Sequence, residues 1–322
     1  MIFSVTPNPA LDLGGTVDKI LKNEKNYVFG ETRFPGGNGI NAARIAHRLG
    51  SSVTVSGFLG GSVGEEIKEL LEKERLKHRF VTISGHSRIN LTVSNETNHE
   101  QTRLSFPGPK IKKSELRSLR ILLRQQPTST LAIIGGSLPS GLRGNDIRIL
   151  VEELRSRRIN TIVDMPGNVL KTVHYAKPLL IKPNLHEFQV MTGKKIERVG
   201  AVASAAKRFT ENVPLICVSS VENGAILVCR KTAWFGRIPK VKIRSSVGAG
   251  DSMVGAMAEM LVRRGLHRKG HEELHSILDL YCSNLLRWAL AAACATLTER
   301  GTQLGRKNSI RKYYSSVTIQ EL

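Results

Sequence analysis

The stretch Ser246-Val247-Gly248-Ala249-Gly250-Asp251-Ser252 stands between a strand-like run, Val241 to Ile243, and an amphipathic helical pattern, Ser252 to Arg264. Gly248 and Gly250 let the backbone come close to a ligand, and the amides that open the helix present the favourable end of its dipole to an anion. Such a turn can stabilise a phosphoryl group in flight. Asp251, at the same point, is either a helix cap accepting backbone hydrogen bonds or a base placed for a substrate hydroxyl. Helical patterning resumes from Leu274 to Leu297 through the alanine-rich Ala289 to Ala295, with a basic loop, Arg264 to Gly270, in between.

Outward from this turn, short Val/Ile-rich runs alternate with longer amphipathic stretches. Ile2 to Thr6, Val53 to Phe58, Leu131 to Ile134, Thr161 to Asp164, Leu179 to Lys182 and Leu215 to Val218 read as strands; Ile147 to Arg157 and Val199 to Phe209 read as helices. The alternation predicts an α/β fold, a mostly parallel central sheet flanked by helices. From Arg88 to Phe106 the period changes to two. Ile89, Leu91 and Val93 alternate with Arg88, Asn90 and Thr92, and Leu104 and Phe106 with Arg103 and Ser105. A hairpin turning through Ser94 to Glu100 would put Arg88 and Arg103 on one side. With residues around 14–34 it forms a small β-sheet lid on a single domain spanning 1–322.

Two further motifs accompany the first. Pro35-Gly36-Gly37-Asn38-Gly39-Ile40-Asn41-Ala42-Ala43-Arg44 runs from a glycine loop into a helix that stops at Leu49-Gly50, where Gly50 suits the residue just past a helix end. In Lys182-Pro183-Asn184-Leu185-His186-Glu187 the oxygens of Asn184 and Glu187, three apart, can face one site and suit hydrated Mg²⁺. A capping pair at a helix start is the plainer reading of those two.

The chain has 322 residues, 40% hydrophobic and 23% charged, which is the balance of a folded globular protein. Cys217, Cys229, Cys282 and Cys294 lack metal or redox spacing and are expected as reduced, mostly buried thiols. The N-terminus lacks the charged and apolar regions of a secretory signal, and no apolar run reaches membrane-spanning length, so a cytoplasmic protein is expected. The net charge of +21 admits nucleic acid as a partner, yet the basic residues are scattered and few aromatics lie among them. A basic surface around an anionic-substrate site is the expectation. The sequence contains no GxxxxGK[ST], and Gly248-x-Gly250 with Gly255 falls too late in the chain for a dinucleotide-binding first turn.

The three motifs, in this order and spacing, resemble the ribokinase-like (PfkB) carbohydrate kinases over nearly the whole chain, from Thr6 to Thr302, and within them the phosphosugar branch of fructose and tagatose phosphate kinases. The resemblance implies ATP and Mg²⁺ as cofactors, a homodimer whose β lids meet, and in some relatives a monovalent cation such as K⁺ near Gly248 to Asp251. It implies Asp251 as catalytic base with Gly248, Ala249 and Gly250 as the anion hole. Asn184 and Glu187 would organise Mg²⁺ and phosphates with Lys182 nearby, and Ser219 and Gly224 would belong to the nucleotide loop. Asp12, Gly36, Gly37, Asn41, Asn90 and Ser137 would hold the sugar, Arg88 and Arg103 would grip its phosphate, and Lys25 would reach a neighbour's site. The chain departs from the family pattern at Val221, where a glycine is usual, at Asn38 and at Tyr27. The activity implied is phosphorylation of fructose 6-phosphate, with fructose 1-phosphate or tagatose 6-phosphate as alternative acceptors. A non-catalytic sugar-phosphate binder and a nucleic-acid-binding protein are the readings from other classes.

Overall fold

The structure, a computed structural model, describes residues 1–95, 97 and 100–322. From the N-terminus come β1 (Ile2–Thr6), β2 (Ala10–Val17), β3 (Phe29–Gly36), α1 (Asn38–Leu49), β4 (Val53–Leu59), α2 (Gly61–Lys73), β5 (Lys77–His78), β6 (Val81–Thr82), β7 (Arg88–Asn95) and β8 (Gln101–Ser105). The middle of the chain holds α3 (Lys113–Arg124), β9 (Leu131–Gly135), α4 (Gly144–Ser156), β10 (Thr161–Asp164), α5 (Gly167–Val173), β11 (Leu180–Ile181), α6 (Leu185–Thr192) and α7 (Val199–Lys207). Last come β12 (Leu215–Val221), β13 (Gly224–Val228), β14 (Ala233–Arg237), α8 (Ala249–Arg263), α9 (His271–Ile277), α10 (Cys282–Leu297), α11 (Lys307–Tyr314) and β15 (Thr318–Glu321).

Among the described residues eleven strands share one sheet, ordered β15-β14-β13-β12-β11-β10-β9-β1-β4-β5, with β6 beside β4. Pairing is parallel from β12 across to β5 and antiparallel from β12 to β15. The strands are apolar on both sides because both faces are covered. Ile2, Val55, Ile133, Ile162, Leu180 and Cys217 point to the layer built by α1, α8 and α10. Their neighbours Phe3, Ala132, Ile134, Val163, Ile181 and Val218 point to the layer of α4, α5 and α7. The loops at the carboxyl ends of β1, β9, β10, β11 and β12 therefore open on one edge, where ligands of such sheets bind.

A separate four-stranded sheet, β3-β2-β7-β8, stands beside that edge. Its register sets Asn90 opposite Ser105 and Thr92 opposite Arg103, so Arg88, Asn90 and Arg103 share a face as the period of two requires. Of the turn expected over Ser94 to Glu100, residues 96, 98 and 99 lie outside the described residues.

Three expectations need correction. Val241 to Ile243 is irregular chain with Ile243 exposed, because the edge of β14 is already taken by β15. The helical run from Leu274 to Leu297 is broken at a 3-10 turn, Leu278–Leu280, where Asp279 accepts hydrogen bonds from the amides of Lys231 and Thr232. Finally, Cys229 and Cys282 form a disulfide, leaving Cys217 and Cys294 as free, buried thiols. A spacing of 53 residues gave no hint of that pairing; it arises because the end of β13 packs on the start of α10. No helix among the described residues is long and apolar enough to cross a membrane.

Candidate active site

The turn at Gly248 does what its composition suggests. Gly248 takes φ 76°, a left-handed conformation that an L side chain resists, and as the N-cap of α8 it leaves the helix amides facing the cleft at the sheet edge. Asp251 lies in the first turn of α8 and is not its cap. Its carboxylate accepts a hydrogen bond from Asn41 Nδ2 of α1 at 2.8 Å. Asn41 Oδ1 in turn accepts from Arg44 Nη1 at 3.4 Å, and the buried Arg44 is held by Glu74 through its Nε at 2.9 and 3.0 Å. A charged pair thus sets the orientation of the amide that holds Asp251.

Opposite Gly250, Lys182 Nζ pairs with Asp164 Oδ1 at 3.1 Å, both side chains only 5% exposed. Asp164 Oδ2 also accepts from Asn38 Nδ2 at 3.3 Å. Burial, the largest single influence, pushes the Lys182 ammonium towards neutrality, but Asp164, Cys217 and Glu187 together outweigh it and the net shift is upward. Burial, then the charge of Asp164, pushes the Asp251 carboxyl up to about 6, against the hydrogen bond from Asn41 and the charge of Lys182. A base that titrates near neutrality is suited to accept a hydroxyl proton.

The sugar-side residues converge on the same cleft of about 760 Å³. Asp12 Oδ1 accepts from Asn90 Nδ2 at 2.8 Å, and Gly36 packs so tightly on this carboxylate that a Cβ there would lie 2.1 Å from Oδ2. Burial raises the Asp12 pKa, opposed by Asn90 and by Arg103, Arg88 and Arg44. Ser137 Oγ accepts from Asn8 Nδ2 at 3.1 Å, and Gly37, Asn41 and Ser137 all line the cleft. Arg88 is half-spent, donating from Nη1 to Phe106 O at 2.9 Å and from Nε to Asn8 O at 3.3 Å. The side chain of Arg103 has no hydrogen-bonded or ion-paired partner among the described residues and stands open on the cleft wall.

Asn184 and Glu187 form a capping box at the start of α6: Glu187 N donates to Asn184 Oδ1 at 2.9 Å and Asn184 N to Glu187 Oε2 at 2.8 Å. The plainer reading therefore holds, but both residues also line the cleft, and Glu187 Oε1 has no hydrogen-bond partner among the described residues. With Asp164 beside them, these oxygens fit a hydrated Mg²⁺. Ser219, Gly224, Ser220 and Asn223 form the wall beyond Lys182. Val221 is fully buried in the core, while Ser220, Glu222 and Asn223 take the positive φ values of 61°, 44° and 61° that bend this loop. Hence valine fits where glycine is usual.

Lys25 is the one sequence candidate that lies away from the cleft, its ammonium 4.8 Å from the ring centre of Tyr27 on an exposed loop. Asp164 was missed. Its signal was an acid closing a buried strand at the carboxyl edge of the sheet.

A half-buried carboxylate facing helix amides and a lysine, beneath a small second sheet that carries arginines, is the layout of a carbohydrate kinase. The chain belongs to the pfkB family of carbohydrate kinases, whose family model matches residues 8–308. It is 31% identical over 255 residues to the 1-phosphofructokinase of Bacillus subtilis, covering 79% of this chain and 83% of that one. It is 30% identical over 279 residues to the tagatose-6-phosphate kinase of Staphylococcus epidermidis, covering 85% and 88%. Phosphofructokinase-2 from Escherichia coli in complex with substrates and products superposes with TM-score 0.88 at 29% identity over 98% of both chains. The protein is a phosphotransferase of the phosphofructokinase-type sugar-phosphate kinases, with a ribokinase-like fold.

Proposed function

We propose that this enzyme transfers the γ-phosphoryl group of ATP to a hydroxyl of a hexose phosphate, with fructose 6-phosphate as the acceptor. The observation that carries the reading is the pair Arg88 and Arg103 on the inward face of the small sheet, in the cleft that holds Asp251. Two guanidinium groups suit one phosphate ester through charge-assisted, partly bidentate hydrogen bonds. Fructose 6-phosphate is favoured by the likeness to phosphofructokinase-2 crystallised with that sugar, TM-score 0.87 over 98% of both chains. Relatives named for fructose 1-phosphate and tagatose 6-phosphate chemistry support those acceptors instead.

In this reading Asp251 takes the hydroxyl proton as the acceptor oxygen bonds to the γ-phosphorus and the bond to ADP breaks. The amides from Gly248 to Gly250 and the ammonium of Lys182 meet the charge on the transferring group. Asn184 and Glu187 would hold Mg²⁺, which neutralises phosphate charge when bound. Ser219 and Gly224 would face the nucleotide, and Asp12, Asn90 and Ser137 the sugar hydroxyls. The small sheet serves as a lid on the single domain. On and beside it Tyr27, Phe29, Leu104 and Phe106 are exposed, which supports a lid-to-lid homodimer that would bring Lys25 to the partner's cleft. Use of ATP fits the cytoplasm, and a K⁺ ion beside Gly248 to Asp251 would make the rate higher in KCl than in NaCl.

An ADP-release assay across fructose 6-phosphate, fructose 1-phosphate, tagatose 6-phosphate, fructose and ribose tests the reading. The highest kcat/KM is expected with fructose 6-phosphate. A higher value with another hexose phosphate reassigns the acceptor; free fructose or ribose used equally well sinks the phosphosugar assignment.

A further inference from the structure

Away from the cleft, a second cavity of about 450 Å³ lies where the last turn of α8 meets the start of α10 and the end of α11. That volume is within the range of small-molecule sites, roughly 300 to 1,000 Å³. Met260, Arg263, Arg264, Tyr281, Trp288 and Tyr314 are among its walls. Phosphoryl transfer does not reach it, since Asp251 is twelve residues back along α8, roughly 18 Å at the helical rise.

The walls are held in place from behind. Glu259 is 5% exposed, and its Oε2 accepts from Trp288 Nε1 at 3.1 Å while its Oε1 accepts from Arg263 Nε at 2.8 Å. One buried carboxylate therefore fixes the indole and the stem of Arg263, and that guanidinium's terminal nitrogens have no partner among the described residues. The side chain of Arg264 has no hydrogen-bonded or ion-paired partner among the described residues. Tyr314 stands 5.5 Å from Trp288 at 73°, anchored by its hydroxyl, which donates to Asn284 Oδ1 at 3.2 Å. Packing of α11 on α10 accounts for two aromatics in contact. It leaves unexplained two available guanidinium groups on the wall of a cavity that opens to solvent.

We propose that this cavity is a second ligand site, for a ring-bearing organic anion of the mononucleotide type. Flat rings offer the π-face that an ordered Trp288 and Tyr281 can stack on, and a phosphate offers the oxygens that Arg263 and Arg264 can grip bidentately.

The test uses Trp288 itself as reporter. The chain has two tryptophans, and the indole nitrogen of the other, Trp234, is buried without a hydrogen-bond partner, so Trp234→Phe removes an unsatisfied donor and leaves Trp288 alone. In that background, with a non-hydrolysable ATP analogue saturating the catalytic cleft, AMP is titrated while Trp288 emission is followed. A saturable change is expected, weakened about tenfold or more by Arg264→Ala and further by Arg263→Ala/Arg264→Ala, as loss of a charged hydrogen bond implies. Adenosine and inorganic phosphate should each bind at least about tenfold more weakly than AMP. Both arginines are exposed, so melting temperature and kinase rate without AMP should match the parent and certify the fold. Emission that does not saturate, or a Kd that the arginine variants leave within about threefold, overturns the site. Phosphate binding as tightly as AMP overturns the ring-bearing ligand.

Discussion

Asp251 carries two opposed demands in one side chain. Its folded pKa, about 6, lies above the ordinary carboxylate value of 3.8, so between those values the folded chain holds a proton that the unfolded chain has released. The stability that this proton represents is complete at low pH and is lost as pH rises through about 6. At neutral pH the ionised Asp251 therefore costs stability. Asp251→Asn should accordingly raise the melting temperature by a few degrees near pH 8 and hardly at all near pH 4, measured by scanning calorimetry. The same variant should lower kcat by about 10² to 10⁴ with ATP and sugar binding retained. A rate within about threefold of the parent would leave Asp251 without a role as base. For the parent, kcat/KM should fall about tenfold per pH unit below about 6 as Asp251 gains its proton, in a rate profile taken with saturating Mg-ATP. At this scale the sequence was informative wherever a residue's type was unusual for its place: an acid and two glycines opening a helix. It was silent on the relay from Glu74 through Arg44 and Asn41, because Glu74 reaches Arg44, and Asn41 reaches Asp251, only in the folded chain.

Helix α6 and the small sheet show how an element can serve structure and chemistry together. The capping box on α6 uses one oxygen each of Asn184 and Glu187, and glutamine suits the same position as glutamate in such a box. Glu187→Gln should therefore keep the stability within about 0.5 kcal/mol of the parent while raising the Mg²⁺ concentration needed for half-maximal rate. Glu187→Ala should lose both, with about 1 kcal/mol of stability gone along with the cap. Full activity in excess chelator would remove these residues from any metal role. In the small sheet, Arg88 ties β7 to the carbonyls of Asn8 and Phe106, whereas Arg103 is unattached. Both substitutions to alanine should cut the preference for phosphorylated over free sugar about 10- to 100-fold without moving the ATP KM. Only Arg88→Ala should also lower the melting temperature. Equal melting points with an unchanged sugar preference would strip both arginines of the assigned grip. The arginine pairing was legible because a period of two fixes faces whatever the turn does. Val241 to Ile243 misled because three apolar-alternating residues look alike in a strand and in a loop, and only the docking of β15 on β14 decides between them.

For the whole molecule, the parallel sheet follows from the alternation of buried runs and amphipathic stretches, but its antiparallel edge closes with the last residues of the chain. The disulfide belongs to this same long-range order. It closes a segment of 53 residues that contains the entire turn from Ser246 to Asp251, and it joins two positions that are fully buried. In the chain-entropy view, a cross-link over a loop of this length restrains the unfolded state by about 4 kcal/mol, leaving the folded state to be held by its own packing. Asp279 would keep that packing after reduction, because its carboxylate accepts from Lys231 N, Thr232 N and Thr232 Oγ1 and ties the same turn to the start of α10. A reducing compartment would favour the open thiols, so the two redox forms should differ in stability more than in catalysis. Complete reduction should lower the melting temperature by roughly 5 to 10 °C while changing kcat less than about twofold. Calorimetry with and without reductant, paired with thiol counting under denaturing conditions, checks both. Four titratable thiols before any reductant is added would mean that the cross-link is not formed in the isolated protein. An equal melting temperature after proven reduction would mean that the loop closed by Cys229 and Cys282 is already restrained in the unfolded chain.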